Sequence, residues 1–487
     1  MRPPDDHRDG PRDECGVFGI YAPEGQDVDV ARLTYFGLYA LQHRGQESAG
    51  IATAPEHGQI VAFREQGLVS QVFKAEHVLR SLVGNLAIGH VRYSTTGSSH
   101  WENTQPIIRD DRRALALAHN GNLINAVELH SELRGDRVAF RSTSDSEIIA
   151  ALLSRSRAED IEDAVTEVMP RLQGAFSTVL MTDDRVVAFR DPHGLRPLSI
   201  GVIDVDGGQP IYCVASETCA FDLLGARFVR DVEPGEMVVL DRRGLRSRIV
   251  NGAGRRAFCL FEYIYFARPD SRMSGQRLQT TRGRMGEILW REAPVDADLV
   301  IAIPDSGNAA ARGLARAANL PQDDGFIKNR YVARTFIQPG QQLRRNGLRL
   351  KFNPLPEVVA GRRLVVVDDS IVRGNTMPQI VAMLRDAGAA EIHLRISSPP
   401  IKHPCHYGID MSTREEMVAH NRSVADVAEL LGADSLHYLS LAGVYEAVGG
   451  DAAHHCDACF TGSYPLPGTE EATGKFALEA VELPVLR

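Results

Sequence analysis

The chain has 487 residues, 44% of them hydrophobic and 24% charged, with a formal net charge of −9. That length exceeds one ordinary core, so two domains of roughly 200 residues or more are expected. The acidic balance argues against a general nucleic-acid binder, and no run reaches the roughly 18 apolar residues of a membrane span.

Residues 1–14 are polar and proline-bearing and lack the apolar stretch of a secretory signal, so a disordered leader is expected. Between Cys15 and about residue 245, short β-rich runs such as AIGHVRYST, AFSTVLM and EMVVL alternate with turn formers, including Asn120-Gly121 and Pro192-His193-Gly194. Two amphipathic helices are predicted, near 29–42 and 145–155. This pattern reads as a layered α+β domain. The basic, glycine-rich segment DRRGLRSRIVNGAGRR is weakly patterned and marks the expected domain boundary. Beyond it, LVIAI precedes a predicted helix at about 308–318, LVVVDD precedes one at about 376–387, and EIHLRI follows. Apolar strands alternating with helices indicate a parallel α/β sheet. The last twenty or so residues lack periodicity and read as an extended tail.

Cys15 heads a strand-like segment directly after the leader. If the leader were removed, its thiol would sit beside its own α-amine, whose pKa of about 8 suits a base near neutral pH. Such a residue carries nucleophile and base together; the alternative is a buried small hydrophobe. GHVRYSTTG supplies Arg92, a guanidinium fork suited to a substrate carboxylate. HNGNLIN supplies Asn120 and Gly121, an amide and a flexible backbone N–H that could stabilise an oxyanion. STSDSEII supplies Asp145 near a helix start, a partner for a substrate ammonium. Read structurally, the same residues could be a surface ion pair, a hairpin turn and an N-cap.

In the second half, LVVVDDSIVRGNT ends a buried strand in Asp368-Asp369 and opens a helix through a loop of small and hydroxyl residues. Ligands of open α/β sheets sit at the carboxyl ends of strands, and a helix N-terminus there favours phosphate. The paired carboxylates suit ribose hydroxyls or Mg²⁺, which prefers oxygen ligands. VIAIPDSGNAAARGLA repeats the geometry, with Asp305, Ser306 and Gly307 in an anion-binding loop. Between the two lies KNRYVARTFIQPGQQLRRNGLRLK, basic throughout and including Lys328, Arg330, Arg334, Arg344, Arg345, Arg349 and Lys351. It reads as a lid over a polyphosphate leaving group. Seven cysteines are too few for a disulfide scaffold, so a reducing cytoplasm is expected. Cys456 and Cys459 form a C-x-x-C pair that could join distant Cys259 and Cys405 around zinc or an iron–sulfur cluster. Cys213 and Cys219 read as core residues.

With LQHRGQESAGI, the first-half segments resemble the N-terminal-nucleophile glutaminase domain of class II amidotransferases. The resemblance implies a four-layer sandwich over 15–250 and a propeptide at 1–14. It also implies Cys15 as nucleophile, Arg92 and Asp145 as glutamine holders, and Asn120 with Gly121 stabilising the tetrahedral intermediate. The second half resembles the type I phosphoribosyltransferases, implying a domain over 258–465 with a tail at 466–487. Phosphoribosyl pyrophosphate (PRPP) would then be bound by Asp305, Ser306, Gly307, Lys328, Arg334, Lys351, Asp368, Asp369, Ser370, Val372, Arg373, Gly374, Asn375 and Thr376, with Mg²⁺ on Ser306, Asp368 and Asp369.

The two halves joined, together with RDPHGLRPLSIG and CLFEYIYFARPDS, resemble the amidophosphoribosyltransferase family from Cys15 to about Phe460. That family makes 5-phosphoribosylamine from PRPP, glutamine and water, the opening step of purine synthesis, and carries ammonia between its sites. Its propeptide-bearing branch holds a [4Fe–4S] cluster on cysteines in the contexts CLFEY, PCHYG and CDACF, which implies Cys259, Cys405, Cys456 and Cys459. Purine nucleotide feedback inhibitors and a homotetramer or homodimer are implied as well. Asn375, where the family often has threonine, and Asn308, where a small apolar residue is usual, depart from the pattern. Other class II amidotransferases would need sugar-isomerase or ATP-pyrophosphatase motifs, which are absent. A retired PRPP-sensing regulator would not need an intact Cys15, Asp368 and Asp369.

Overall fold

The computed structural model describes residues 15–93, 100–252, 254–329, 351–409, 411, 413–468 and 478. The leader at 1–14, Arg334 with most of the basic segment, and nearly all of the tail lie outside the described residues.

Two antiparallel sheets build the first half. In the seven-stranded sheet, Gly16–Tyr21 runs between Ile211–Ala215 and Leu86–Arg92. In the six-stranded sheet, Ala114–Leu123 pairs with Gly174–Met181. Period-two alternation gives each sheet two apolar faces. Val17, Ile88, Ala118, Val179 and Val214 meet between the sheets, whereas Phe18, Ile20 and Val91 turn outward against the helix Val30–Ala40. Leu115, Leu117, Phe176 and Leu180 turn the other way, against Asp145–Arg155 and Ile161–Val168. The result is helix, sheet, sheet, helix: a four-layer sandwich. Asp29 caps the first helix by accepting from Arg32 N at 2.9 Å. Predicted as 29–42, that helix spans Val30–Ala40. The predicted helix at 145–155 is found as Asp145–Arg155.

One local expectation fails and one segment is refined. Asn120-Gly121 is not a turn but lies inside the strand Ala114–Leu123. A chain at φ +150 lets Gly121 press against its neighbour, where a Cβ would fall 2.0 Å from Ala175 O; glycine here serves close approach, not reversal. The boundary segment is also more ordered than its composition suggests. Gly244–Ile249 pairs with Glu236–Asp241 as an edge strand, whose exposed charges blunt the sheet edge.

The second half holds a four-stranded parallel sheet, Leu299–Ala302, Arg363–Asp368, Glu391–Ile396 and Ser435–Tyr438, in that order. Leu299, Ile301, Leu364 and Val366 pack on the face carrying Met377–Asp386, and Val300, Val365 and Val367 pack on the face carrying Asn308–Ala318. Burial on both faces explains why these strands read as continuous apolar runs. The fourth strand, SLHY, alternates in burial and carried no comparable signal. The tail expectation is corrected at one point: Leu478 is buried in the core of the first half, among Leu115, Ile149 and Phe189.

Candidate functional site

Cys15, Arg92, Gly121 and Asp145 line one small cavity of ≈ 10 Å³, together with Tyr93, Gln105, His119, Ser144 and Ser146. That volume is about one water. The adjoining strands Gly16–Tyr21 and Leu86–Arg92 set Cys15 beside Arg92. The Cys15 thiol donates to Tyr93 O at 3.2 Å, and burial pushes its pKa up to about 11. The resting Cys15 thiol is therefore neutral, and to act as a nucleophile it would need a base close by.

Asn120 is fully buried, and neither its side-chain oxygen nor its nitrogen has a hydrogen-bond partner among the described residues. A buried, unsatisfied amide costs roughly 1–3 kcal/mol. Beside a nucleophile, such a group is what an oxyanion would satisfy. Asp145 is not an N-cap: Ser144 takes that position by accepting from Ser146 N at 3.3 Å. The Asp145 carboxylate instead accepts from Leu123 N at 2.9 Å and lies 3.7 Å from His119 Nδ1. Arg92 is buried, with Glu47 at 3.7 Å. Gln105, His119 and Ser146 were missed by sequence reading. Gln105 donates to Ser146 Oγ at 3.0 Å and accepts from His119 N at 2.7 Å, stiffening the cavity floor. Only the HN step before Gly121 could have flagged His119.

The second cluster lies at the carboxyl ends of the parallel strands. Asp369 is buried, and its burial pushes the carboxyl above its usual range against hydrogen bonds from Ser306 and Ser370. Ser370 Oγ donates to Asp369 at 2.6 Å, and Asp369 N donates to Asp368 Oδ1 at 2.9 Å. Ser306, Asp368 and Asp369 are thus brought together as hard oxygen donors. Gly307 packs so close that a Cβ would meet Val367 O at 2.5 Å, and Gly374 turns the following loop with φ +72. Lys328 reaches across to ion-pair with Asp305. Val372 is buried with its carbonyl accepting from Val418 N at 2.8 Å, which holds the loop to the domain body. Arg373 pairs with Glu416 at 3.3 Å. Thr376 is the N-cap residue of Met377–Asp386. Asn375 O accepts from Gln379 at 3.0 Å, and Asn308 opens its helix, so both departures fit their turns. Lys351 flanks the hairpin Phe326–Lys328 with Phe352–Pro354, its carbonyl accepting from Asn329 N at 2.8 Å.

The four cysteines converge from three segments. Phe258–Cys259 pairs with His455–Cys456 in register, setting Cys259 opposite Cys456. Lys402 N and His403 N both donate to Cys459 O, at 2.9 and 3.1 Å, bringing Cys405 alongside. Burial pushes Cys456 up to about 12. Cys459 is also raised well above its ordinary value, first by burial and then by the neighbouring Cys259, Cys456 and Cys405. Among the described residues no group of three or more His, Cys, Asp or Glu is set to hold a single metal ion. Cys259 and Cys459 are buried and Cys405 and Cys456 half-buried, with Cys405 Sγ accepting from Tyr407 N at 3.4 Å; four thiol donors suit either zinc or an iron–sulfur cluster.

The halves meet through buried charge. Arg44 donates to Glu217 at 2.5 Å and Glu262 at 2.6 Å, and to the Cys15 carbonyl at 3.2 Å. Burial alone would raise the Glu217 pKa, but His43 and Arg44 beside it hold it well below the usual carboxylate range. Ser271 Oγ donates to the same carboxylate at 2.6 Å. The motifs RDPHGLRPLSIG and CLFEYIYFARPDS, which in the sequence analysis carry the family resemblance, contribute Arg196, Glu262 and Ser271 to this joint. No described helix is long and apolar enough to cross a membrane.

Comparison with known proteins gives independent footing. Residues 90–222 match a glutamine amidotransferase domain and residues 283–398 a phosphoribosyl transferase domain. The chain is 50% identical over 477 residues to an amidophosphoribosyltransferase of Synechococcus elongatus, covering 97% of this chain and 96% of the relative. Among solved structures, it is similar to the Bacillus subtilis glutamine PRPP amidotransferase complexed with ADP and GMP. That similarity has TM-score 0.86 and 45% identity, covering 93% of this chain and 97% of the other. A structure described as the allosteric regulatory enzyme of purine biosynthesis matches with TM-score 0.89 and 44% identity, covering 95% and 99%.

Proposed function

The chain belongs to the amidophosphoribosyltransferase family, and from that premise we propose how its own residues divide the work. It is a pentosyltransferase with glutamine amidotransferase activity, acting in purine biosynthesis. The observation that carries the residue assignment is the convergence of Cys15, Arg92, Gly121 and Asp145 on one cavity beside the unsatisfied Asn120 amide.

In this reading residues 1–14 are a propeptide whose removal frees the Cys15 amine. That amine takes the thiol proton as Sγ bonds the glutamine amide carbon. The carbonyl electrons shift onto oxygen, where Asn120 and the Gly121 N–H stabilise them. Collapse of the intermediate breaks the C–N bond, and the ammonium of Cys15 returns its proton to the departing nitrogen, releasing ammonia. Water then cleaves the thioester to glutamate and thiol. Arg92 and Asp145 hold the substrate carboxylate and ammonium.

Ammonia next attacks ribose C1 of PRPP as the C1–O bond breaks and pyrophosphate leaves; loss of a proton gives 5-phosphoribosylamine. Asp305, Ser306 and Gly307 face the pyrophosphate, and the loop from Ser370 to Thr376 cradles the 5-phosphate. Lys328, Arg334 and Lys351 add positive charge. Ser306, Asp368 and Asp369 would hold Mg²⁺, which supplies charge neutralisation for the leaving group when bound. Cys259, Cys405, Cys456 and Cys459 would hold a [4Fe–4S] cluster of structural role; metal analysis finding stoichiometric zinc instead of iron would refute it. The domains are read as 15–250 and 258–465 with a tail at 466–487. Purine nucleotides are proposed as feedback inhibitors, supported by the ADP and GMP bound to the Bacillus subtilis protein, and the assembly as a homotetramer or homodimer in the cytoplasm. The test is pyrophosphate release from PRPP with glutamine, with ammonium, or with neither. Glutamine cleavage without PRPP consumption under any nitrogen source would overturn the proposal.

A further inference from the structure

The peptide of Gly121 is held between two backbones that leave no room for a side chain. On one side a Cβ on Gly121 would fall 2.0 Å from Ala175 O. On the other lies Gly408, a second-half residue at φ +102, whose own Cβ would fall 2.9 Å from Gly121 C and 3.0 Å from Gly121 Cα. Backbone against backbone, with no flexible atom between them, transmits displacement directly. The next residue is fixed from the same segment, since Asn122 Nδ2 donates to His406 O at 2.9 Å.

That segment is itself anchored. Tyr407 O accepts from Arg196 Nε and Nη2 at 2.8 and 2.7 Å. Arg196 Nη1 lies 3.7 Å from Glu262, the carboxylate that also takes Arg44. Arg196, Arg44 and Glu262 are each 1% exposed or less, so these contacts are not shared with water. One short segment therefore packs against the Cα and carbonyl of Gly121, the residue whose N–H follows Asn120, and reaches the Cys15 carbonyl through a buried ion-paired strut.

We propose that His406–Gly408, supplied by the phosphoribosyltransferase half, is a positioning element that sets the Gly121 N–H for the oxyanion of glutamine hydrolysis. The proposal rests on the oxyanion role of Asn120 and Gly121. An oxyanion donor acts only when it is held within about half an ångström of its productive position, roughly 3 Å from the oxygen it stabilises. A glutaminase domain whose donor is buttressed from the other domain reaches full activity only with both halves docked.

The test uses Gly408→Ala and Asn122→Ala in the full-length protein, with three readouts. These are kcat and KM for glutamine, affinity for the aldehyde analogue of glutamine that forms a tetrahedral adduct with the thiol, and ammonia-dependent phosphoribosylamine synthesis. Gly408→Ala is expected to lower glutaminase kcat by about tenfold or more and to weaken the aldehyde in step, with KM and the ammonia-dependent rate within about twofold. Asn122→Ala, which removes the hydrogen bond to His406 O, should show the same pattern at about threefold. Unchanged kcat and aldehyde affinity in both variants overturn the proposal, as does a parallel fall in KM-limited, aldehyde and ammonia-dependent measures. Should Gly408→Ala fail to fold, Asn122→Ala alone decides. Asn120→Ala separates the underlying reading: it should cost about 10²–10³ in kcat, and an active Asn120→Ala enzyme removes the oxyanion assignment itself.

Discussion

Cys15, Asn120 and Asp145 keep 6%, 0% and 3% of their surface in water, whereas the Lys328 and Asp305 side chains keep 36% and 67%. In the proposed glutaminase site the lining residues are held by strands, the floor is hydrogen-bonded, and the buried Asn120 amide has no partner among the described residues. The phosphate site is assembled from loops, and Lys328 is paired with a carboxylate that a pyrophosphate would displace. A thioester and free ammonia need shelter from water, and rigid burial provides it. A polyanion brings enough charge to order the loops that bind it. The first site should thus fail steeply when one atom is lost, the second gradually.

Replacing the nucleophile gives the largest contrast. Cys15→Ala should reduce glutamine-dependent synthesis by about 10⁴ or more while synthesis from ammonium survives, read as pyrophosphate release; loss of both would mean that the two sites are not separable. Asp369→Asn removes charge from the only buried carboxylate of the second cluster. It should lower transfer by about 10² with either nitrogen donor and leave glutamine hydrolysis standing, measured as glutamate formation. Equal loss of hydrolysis would show that Asp369 acts through the fold. The smallest effect belongs to the exposed pair: Lys328→Ala should raise the KM for PRPP by about tenfold or less, with kcat little changed and the difference shrinking at high salt. A kcat collapse there would place Lys328 among the groups that stabilise the transition state and erase the distinction between the sites.

The sequence by itself determined the local elements and the chemistry they carry. Leu364–Val367 ending in Asp368-Asp369, the helix after Ser144, and the strand carrying Cys15 are all readable because a buried strand or an amphipathic helix must repeat its apolar residues at its own period. Weakly periodic pieces were not readable: the edge strand Gly244–Ile249 is largely solvated, and Ser435–Tyr438 is too short to establish a pattern. Asn120-Gly121 misled for a related reason, since a glycine needed for close packing and one needed for a turn look alike in a single chain.

Only the tertiary structure decided what lies across the joint. Arg44, Glu217, Glu262 and Arg196 are far apart in sequence and carry no shared spacing, yet burial makes them one set of charges that must pair. The same holds for Gly408 against Gly121, where the constraint is the absence of a side chain on both partners. Local pattern records what a residue does for its own element; contact between distant elements leaves no periodic trace, so it emerges only when the chain is folded.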